Sequence, residues 1–112
     1  MNSLSPNLFV KDINETILFY QSIGFKSVME VPGEDGLVWV MMNRGNVNFM
    51  FQTFESLDTE LPEISRKNGG SLLLYIQMNE IKKFHDEIAE EVKILKGLEK
   101  TFYRAIEFSI LD

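Results

Sequence analysis

The chain has 112 residues, no cysteine, and eleven basic against seventeen acidic side chains, a net charge of −6. Its length suits one domain, and the missing cysteines exclude a disulfide framework, a thiolate nucleophile and any cysteine metal site. The charge is −3 over residues 1–56 (3 − 6) and −3 over residues 57–112 (8 − 11), so no basic face is offered to duplex nucleic acid.

Apolar residues make up 45% of the chain, and a domain of this size buries roughly two-thirds of its surface, enough for a core without covalent staples. The N-terminal Met-Asn-Ser-Leu-Ser-Pro lacks the basic and apolar regions of a secretory signal. No stretch approaches the roughly 20 apolar residues of a membrane span. A cytoplasmic protein is expected, and the sequon at Asn14 is read as chance.

In chain order, Leu4 to Val10 reads as a short strand entered past Pro6. Asp12, with Glu15 three residues on, opens a helix as a capping box, and Ile13, Ile17 and Tyr20 mark its apolar face. Gly24 ends that helix. Phe25 to Val31 is a strand, residues 32–36 a turn, Leu37 to Met42 a strand, residues 43–46 a hairpin turn and Val47 to Gln52 another strand. Residues 53–70 read as a linker, with one helical turn between Leu61 and Lys67. Ser71 to Met78 is a strand, and Asn79 caps a second helix whose apolar face is Ile81, Phe84, Ile88 and Val92. Val92 to Lys96 is a strand, Gly97 to Lys100 a turn, and Tyr103 to Leu111 the last strand.

The second half repeats the first at one offset of 68 residues. Val10-Lys11-Asp12-Ile13 falls on Met78-Asn79-Glu80-Ile81, Phe25 to Met29 on Lys93 to Gly97, and Leu37 to Met42 on Ala105 to Ile110. The pattern is a tandem duplication of a βαβββ module. On this offset the counterpart of Val47 to Gln52 would follow Asp112, so the second module is expected to be one strand short, either because the sequence is truncated or because another chain fills the gap and covers the edge.

Two such modules resemble the vicinal oxygen chelate superfamily, which includes glyoxalase I, extradiol dioxygenases and bleomycin and fosfomycin resistance proteins. Asn7 to Phe25, NLFVKDINETILFYQSIGF, is similar to that family's opening pattern. LLLYIQMNEIKKFHDEI resembles the start of its second module, and TFYRAIEFSILD the strand before its usual closing turn. Arg104 stands where relatives often carry glycine. The resemblance implies an α+β fold: tandem βαβββ modules forming half-barrel sheets with helices outside. It divides the single domain into module one at about 1–53, a linker at about 54–70 and module two at about 71–112.

Enzymes of the family hold a divalent ion with His, Gln or Glu side chains. The positions that match are Ser5, Leu73 and Met50 or Phe51, with the last beyond Asp112; serine, leucine and methionine do not make a hard-cation site. His85 is the lone histidine and reads as a solvent-facing helix residue. The acidic pairs Asp86-Glu87 and Glu90-Glu91 read as that helix's polar face, pairing with Lys82 and Lys83. No catalytic residue, metal or cofactor is assigned, and a catalytic role is disfavoured.

Strand alternation leaves a face for a small organic ligand. Val38, Val40 and Met42, with Ile106, Phe108 and Ile110, face the helices. The other face carries Leu37, Trp39 and Met41, then Ala105, Glu107 and Ser109. The resemblance implies that this face lines the cleft, and by parity with the family's metal positions the cleft also receives Ser5, Asn7, Phe9, Asn48, Met50, Gln52, Leu73, Tyr75 and Gln77. Each has a plainer reading: Trp39 as core, Phe9 and Tyr75 as plugs, Asn48 and Gln52 on an exposed edge, and Glu107 bridged to Arg104 or Arg44. If buried, Glu107 needs a cationic partner, either an internal arginine or a ligand amine.

Three functions compete. The first is a metal-independent small-molecule binding protein, similar to the bleomycin-binding members, sequestering a cationic or aromatic compound. The second is a glyoxalase- or dioxygenase-type enzyme with metal ligands completed by a partner chain. The third is a remnant or interaction module whose open edge pairs with another protein. A homodimer is expected, because open sheets need closing.

Overall fold

The computed structural model describes residues 1–57 and 72–111. The chain falls into two compact units, Met1–Ser71 and Leu72–Asp112, of mixed α+β structure.

Unit one runs β1 (Asn7–Val10), α1 (Ile13–Ser22), β2 (Lys26–Gly33), β3 (Gly36–Arg44), β4 (Val47–Thr53) and a short α2 (Phe54–Leu57). Its four strands form one sheet in the order β1-β4-β3-β2. β1 lies parallel to β4, and β4, β3 and β2 are antiparallel neighbours.

Local chemistry sets the boundaries of α1. The Asp12 carboxylate accepts from the Glu15 amide at 3.1 Å, satisfying a donor that the first turn leaves open. The helix stops at Ile23, and Gly24 takes a φ of 96°, where a side chain would be strained and a Cβ would press on Arg44. The expected face is the one buried: Ile13, Ile17 and Tyr20. They cover Val40 and Met42 of β3 and Phe49 and Phe51 of β4, all buried. Tyr20 centres an aromatic cluster, with ring centroids 5.6 Å from Phe25, 5.4 Å from Phe49 and 4.8 Å from Phe51. Such pairs contribute roughly 0.5–1.5 kcal/mol each beyond area burial.

Unit two contains α3 (Ile81–Ile88), β5 (Lys93–Lys100) and β6 (Ile106–Leu111), the strands paired antiparallel. Its α3 starts 68 residues after α1 (81 − 13), as the repeat requires. The hairpin register repeats to within one residue: Ser27 pairs Met42 in unit one, and Ile94 pairs Ile110 in unit two.

Five expectations for unit two are corrected. Residues 72–78 form no strand with any described residue; in unit one the equivalent β1 is held only by β4, and unit two's described strands are β5 and β6. Asn79 is not the cap of α3: Glu80 is, in a left-handed conformation (φ 55°) with no side-chain cap bond. The helix ends at Ile88, so Glu90 and Glu91 lie past it. Gly97 does not turn the chain. It sits inside β5 where the register shifts between Lys96 and Glu99, a position where an isolated strand glycine accommodates a bulge. The turn instead spans residues 101–105, closed by Thr101 N–H to Ala105 O at 2.8 Å, so the last strand begins at Ile106. The expected helical turn at Leu61 to Lys67 lies outside the described residues.

Candidate functional site

The two faces of the unit-one sheet are chemically different. One face is the core described above. The open face can be read in rows across the four strands, because paired residues in a ladder project to the same side. The first row is Asn7 (β1), Met50 (β4), Met41 (β3) and Met29 (β2). The second is Phe9, Gln52, Trp39 and Val31. A third, shorter row pairs Asn48 with Asn43.

Seven of the residues expected from alternation therefore share this face: Asn7, Phe9, Trp39, Met41, Asn48, Met50 and Gln52. Trp39 is half-buried on it and is not core. Ser5, also half-buried, precedes β1; beyond it the Met50 amide donates to Pro6 O at 2.8 Å, carrying the β1–β4 pairing back one residue. Alternation was not applied to β2, and so Met29 and Val31 were missed. A bulge between Ser27 and Met29 sets the phase that brings Met29 level with Met41.

The polar groups on this face are arranged rather than scattered. Asn7 Nδ2 donates to Gln52 Oε1 at 3.1 Å, and Asn43 Nδ2 donates to Asn48 Oδ1 at 2.8 Å. Each primary amide has more valences than these bonds use, so the Asn7 carbonyl oxygen and the Gln52 amide remain as anchors. Between them lie thioethers and aromatic surface, adaptable and apolar. The Phe9 ring lies 6.1 Å from Phe54 at the edge. A separate hollow of about 440 Å³ lies at the strand ends among Asp12, Glu34, Asp35 and Glu55. Lys11, Asn14, Thr53, Leu37 and Val38 line it as well, so it is mixed in charge, whereas the sheet face offers continuous aromatic and thioether surface.

Unit two holds Leu73, Tyr75 and Glu107. Leu73 is 85% exposed and Tyr75 65%. Glu107 Oε2 accepts from Tyr103 Oη at 2.7 Å and from Tyr75 Oη at 3.4 Å. The two phenols thus hold the carboxylate that sequence reasoning paired with an arginine. Tyr103 was missed because it was placed in the last strand; the turn at 101–105 folds it back onto Glu107. That hydrogen bond, with partial desolvation, raises the Tyr103 phenol above its ordinary 10.0. Lys96 is raised above 10.5 by its hydrogen bond and charge pairing with Glu99.

His85 is not solvent-facing as expected. Its ring lies edge-on to Phe108 at 4.9 Å, and its Nδ1 lies 3.0 Å from the Asp86 carboxylate. It packs beside Phe84, which meets the same Phe108 ring.

Among the described residues, no three His, Asp or Glu side chains are grouped to hold a metal ion. The positions that match the family's ligands offer a hydroxyl at Ser5, a thioether at Met50 and a hydrocarbon at Leu73. That donor set does not fit a hard divalent cation, which needs several nitrogen or oxygen ligands. Among the described residues, no helix is long and apolar enough to cross a membrane.

A family model described as Glyoxalase/Bleomycin resistance protein/Dioxygenase superfamily matches residues 3–112. No curated protein sequence matches the chain. Among solved structures, a bleomycin resistance determinant encoded on the transposon Tn5 is similar over 100% of this chain and 89% of its own, at 19% identity and a TM-score of 0.69. A bleomycin-binding protein complexed with bleomycin is similar over 100% and 90%, at 18% identity and a TM-score of 0.65. An Agrobacterium tumefaciens protein of unknown function is similar over 100% and 86%, at 23% identity and a TM-score of 0.77. At these identities the likeness is one of fold.

Proposed function

The chain belongs to the Glyoxalase/Bleomycin resistance protein/Dioxygenase superfamily, and from that membership we propose that it is a metal-independent small-molecule binding protein whose ligand lies against the open face of unit one. The composition of that face carries the reading. Trp39 and the methionines Met29, Met41 and Met50 give a flat, deformable apolar floor, and the Asn7–Gln52 amide pair gives directional anchors. An organic ring needs such a surface; a divalent ion does not.

The finer proposal is that the ligand is aromatic and cationic. The net charge of −6 favours the approach of cations. Taken by itself, unit two holds Glu107 between two phenols, a carboxylate that suits an ammonium group. A relative in this fold is described as a bleomycin-binding protein complexed with bleomycin, which supports a compound of that kind. A cytoplasmic homodimer remains part of the proposal, and β2 gives it an open sheet edge.

Trp39 is the only tryptophan, so its emission reports on this face alone. Titration with bleomycin is expected to change that emission saturably, and Trp39→Phe to weaken binding read by calorimetry. Unchanged emission, with no heat of binding, overturns the reading for this compound. A stoichiometric divalent ion seen by native mass spectrometry after purification without added metal would instead favour a metal-dependent enzyme.

A further inference from the structure

Three of the chain's six methionines stand in one row on the open face of unit one: Met29 of β2, Met41 of β3 and Met50 of β4. The bulge in β2 makes the row. An unbroken ladder from the Ser27–Met42 pair would set Met29 opposite Val40, on the side that α1 covers; the shift sets it opposite Met41 instead. Met29 is 57% exposed, and Met41 and Met50 are half-buried on the open face. The adjacent Met42 is the internal contrast, at 0% under α1. The chain has no cysteine, so the thioethers are its only oxidisable sulfur.

The surroundings decide what an oxygen atom added to these sulfurs does. Opposed residues of neighbouring antiparallel strands have Cβ atoms about 4.5–5.5 Å apart, so each methionine of the row has the next within side-chain reach. Trp39 shares strand and face with Met41, two residues or about 6.8 Å away. Met50 is level with Asn7, whose amide spends one of its two hydrogens on Gln52 at 3.1 Å. The second hydrogen is available to a sulfoxide oxygen, which is a far stronger acceptor than a thioether.

We propose that the Met29–Met41–Met50 row is an oxidative modification site for peroxides, and that its oxidation switches the open face from apolar to polar. The thioether sulfur attacks one peroxide oxygen. An S–O bond forms and the O–O bond breaks. With hydrogen peroxide, the proton on the attacked oxygen passes to the departing hydroxide, which leaves as water. Sulfur loses two electrons and the peroxide gains them. The change is reversible, because methionine sulfoxide reductases restore the thioether, with a dithiol giving a disulfide and water. The effect on binding rests on the reading of this face as the ligand site. A sulfoxide there sets a hydrated dipole where an aromatic ring would lie, and covering it unpaired costs affinity.

The test treats the full folded chain with hydrogen peroxide. Peptide mass mapping is expected to find one added oxygen on each of Met29, Met41 and Met50 while Met42 and Trp39 stay unmodified. Trp39 emission is expected to move to longer wavelength in step with oxidation of Met41. The variant carrying Met29→Leu, Met41→Leu and Met50→Leu, its fold checked by circular dichroism, keeps Met1, Met42 and Met78 and is expected to lose that response. Bleomycin affinity of the unaltered chain is expected to fall about tenfold on oxidation and to recover after treatment with the two methionine sulfoxide reductases and dithiothreitol. Oxidation of Met42 as fast as Met41 and Met50, an emission response that persists in the variant, or equal bleomycin affinity before and after oxidation overturns the proposal. If bleomycin binds neither form, it is the ligand reading that fails, and the mass map and the emission of Trp39 still decide the modification site.

Discussion

Gly36 and Arg104 stand one repeat apart (104 − 36 = 68) at the entry to the last strand of their hairpins, and both have positive φ, 120° and 64°. Glycine adopts this backbone freely, whereas a side chain in it costs about 1–3 kcal/mol. Unit one places glycine there and unit two places arginine. Arg104→Gly is therefore expected to stabilise unit two by about 0.5–1 kcal/mol, after the added freedom of the unfolded chain is subtracted. Gly36→Ala is expected to destabilise unit one by about 1–3 kcal/mol. A Cβ there meets nothing within 4 Å, so the cost is conformational. Urea unfolding of the two variants checks both signs; a destabilised Arg104→Gly would mean that the arginine side chain has a role that outweighs its backbone strain.

Unit one was legible because each signal in it agreed with its neighbours. The Asp12 cap, the Ile13–Ile17–Tyr20 stripe and the β3 alternation all point to one core, and that core is the observed one. Unit two was legible only where local chemistry decides. The segment Leu72 to Met78 is as apolar as any strand in the chain, yet strand formation is a property of a pair, and its partner position is empty among the described residues. Gly97 looks like a turn from composition, but the β5–β6 ladder absorbs it as a bulge. Tyr103 reached the Glu107 cluster through a turn whose position no alternation rule supplies. The candidate face followed from period-two alternation together with the family resemblance, which said which face lines the cleft; its Met29 and Val31 edge required the bulge in β2.

Adjacent methionines of β3 separate the two faces experimentally. Met42 is fully buried against α1, and Met41 is half-buried on the open face between Met29 and Met50. Met42→Ala removes packed volume and is expected to cost about 2–5 kcal/mol. Met41→Ala leaves a shallow recess open to solvent and is expected to cost under about 1 kcal/mol, while weakening ligand binding at Trp39. Denaturation midpoints and Trp39 titrations on both variants test the pair. Equal destabilisation would place Met41 in the core and remove the open face as a site.

The Tyr103–Glu107 hydrogen bond predicts a defined response to alkali. Its phenol is raised in the folded chain above the ordinary 10.0, chiefly by that hydrogen bond. A group with a raised folded value contributes its stability fully below the unfolded value and loses it as pH climbs through the folded one. Its contribution is therefore full below the ordinary 10.0 and is lost only as pH climbs through the raised folded value. Lys96, raised by Glu99, acts in the same direction above 10.5. Phenolate absorbance is expected to show one tyrosine titrating at lower pH in Glu107→Gln than in the unaltered chain. Superimposable curves would mean that Glu107 does not hold Tyr103 in solution.

The two long helices begin differently, and the difference is measurable. Asp12 caps α1 from extended backbone, with its carboxylate on the Glu15 amide, and its carbonyl oxygen takes both the Thr16 amide and hydroxyl. Glu80 heads α3 from a left-handed conformation and caps nothing with its side chain. Asp12→Ala is expected to cost about 1 kcal/mol, the usual loss for a removed cap. Glu80→Gly removes no cap bond and relieves a strained φ, so it is expected to be neutral or stabilising by up to about 1 kcal/mol. If Glu80→Gly instead costs as much as Asp12→Ala, the start of α3 in solution uses the Glu80 side chain, and the repeat extends to its capping chemistry as well as to its position.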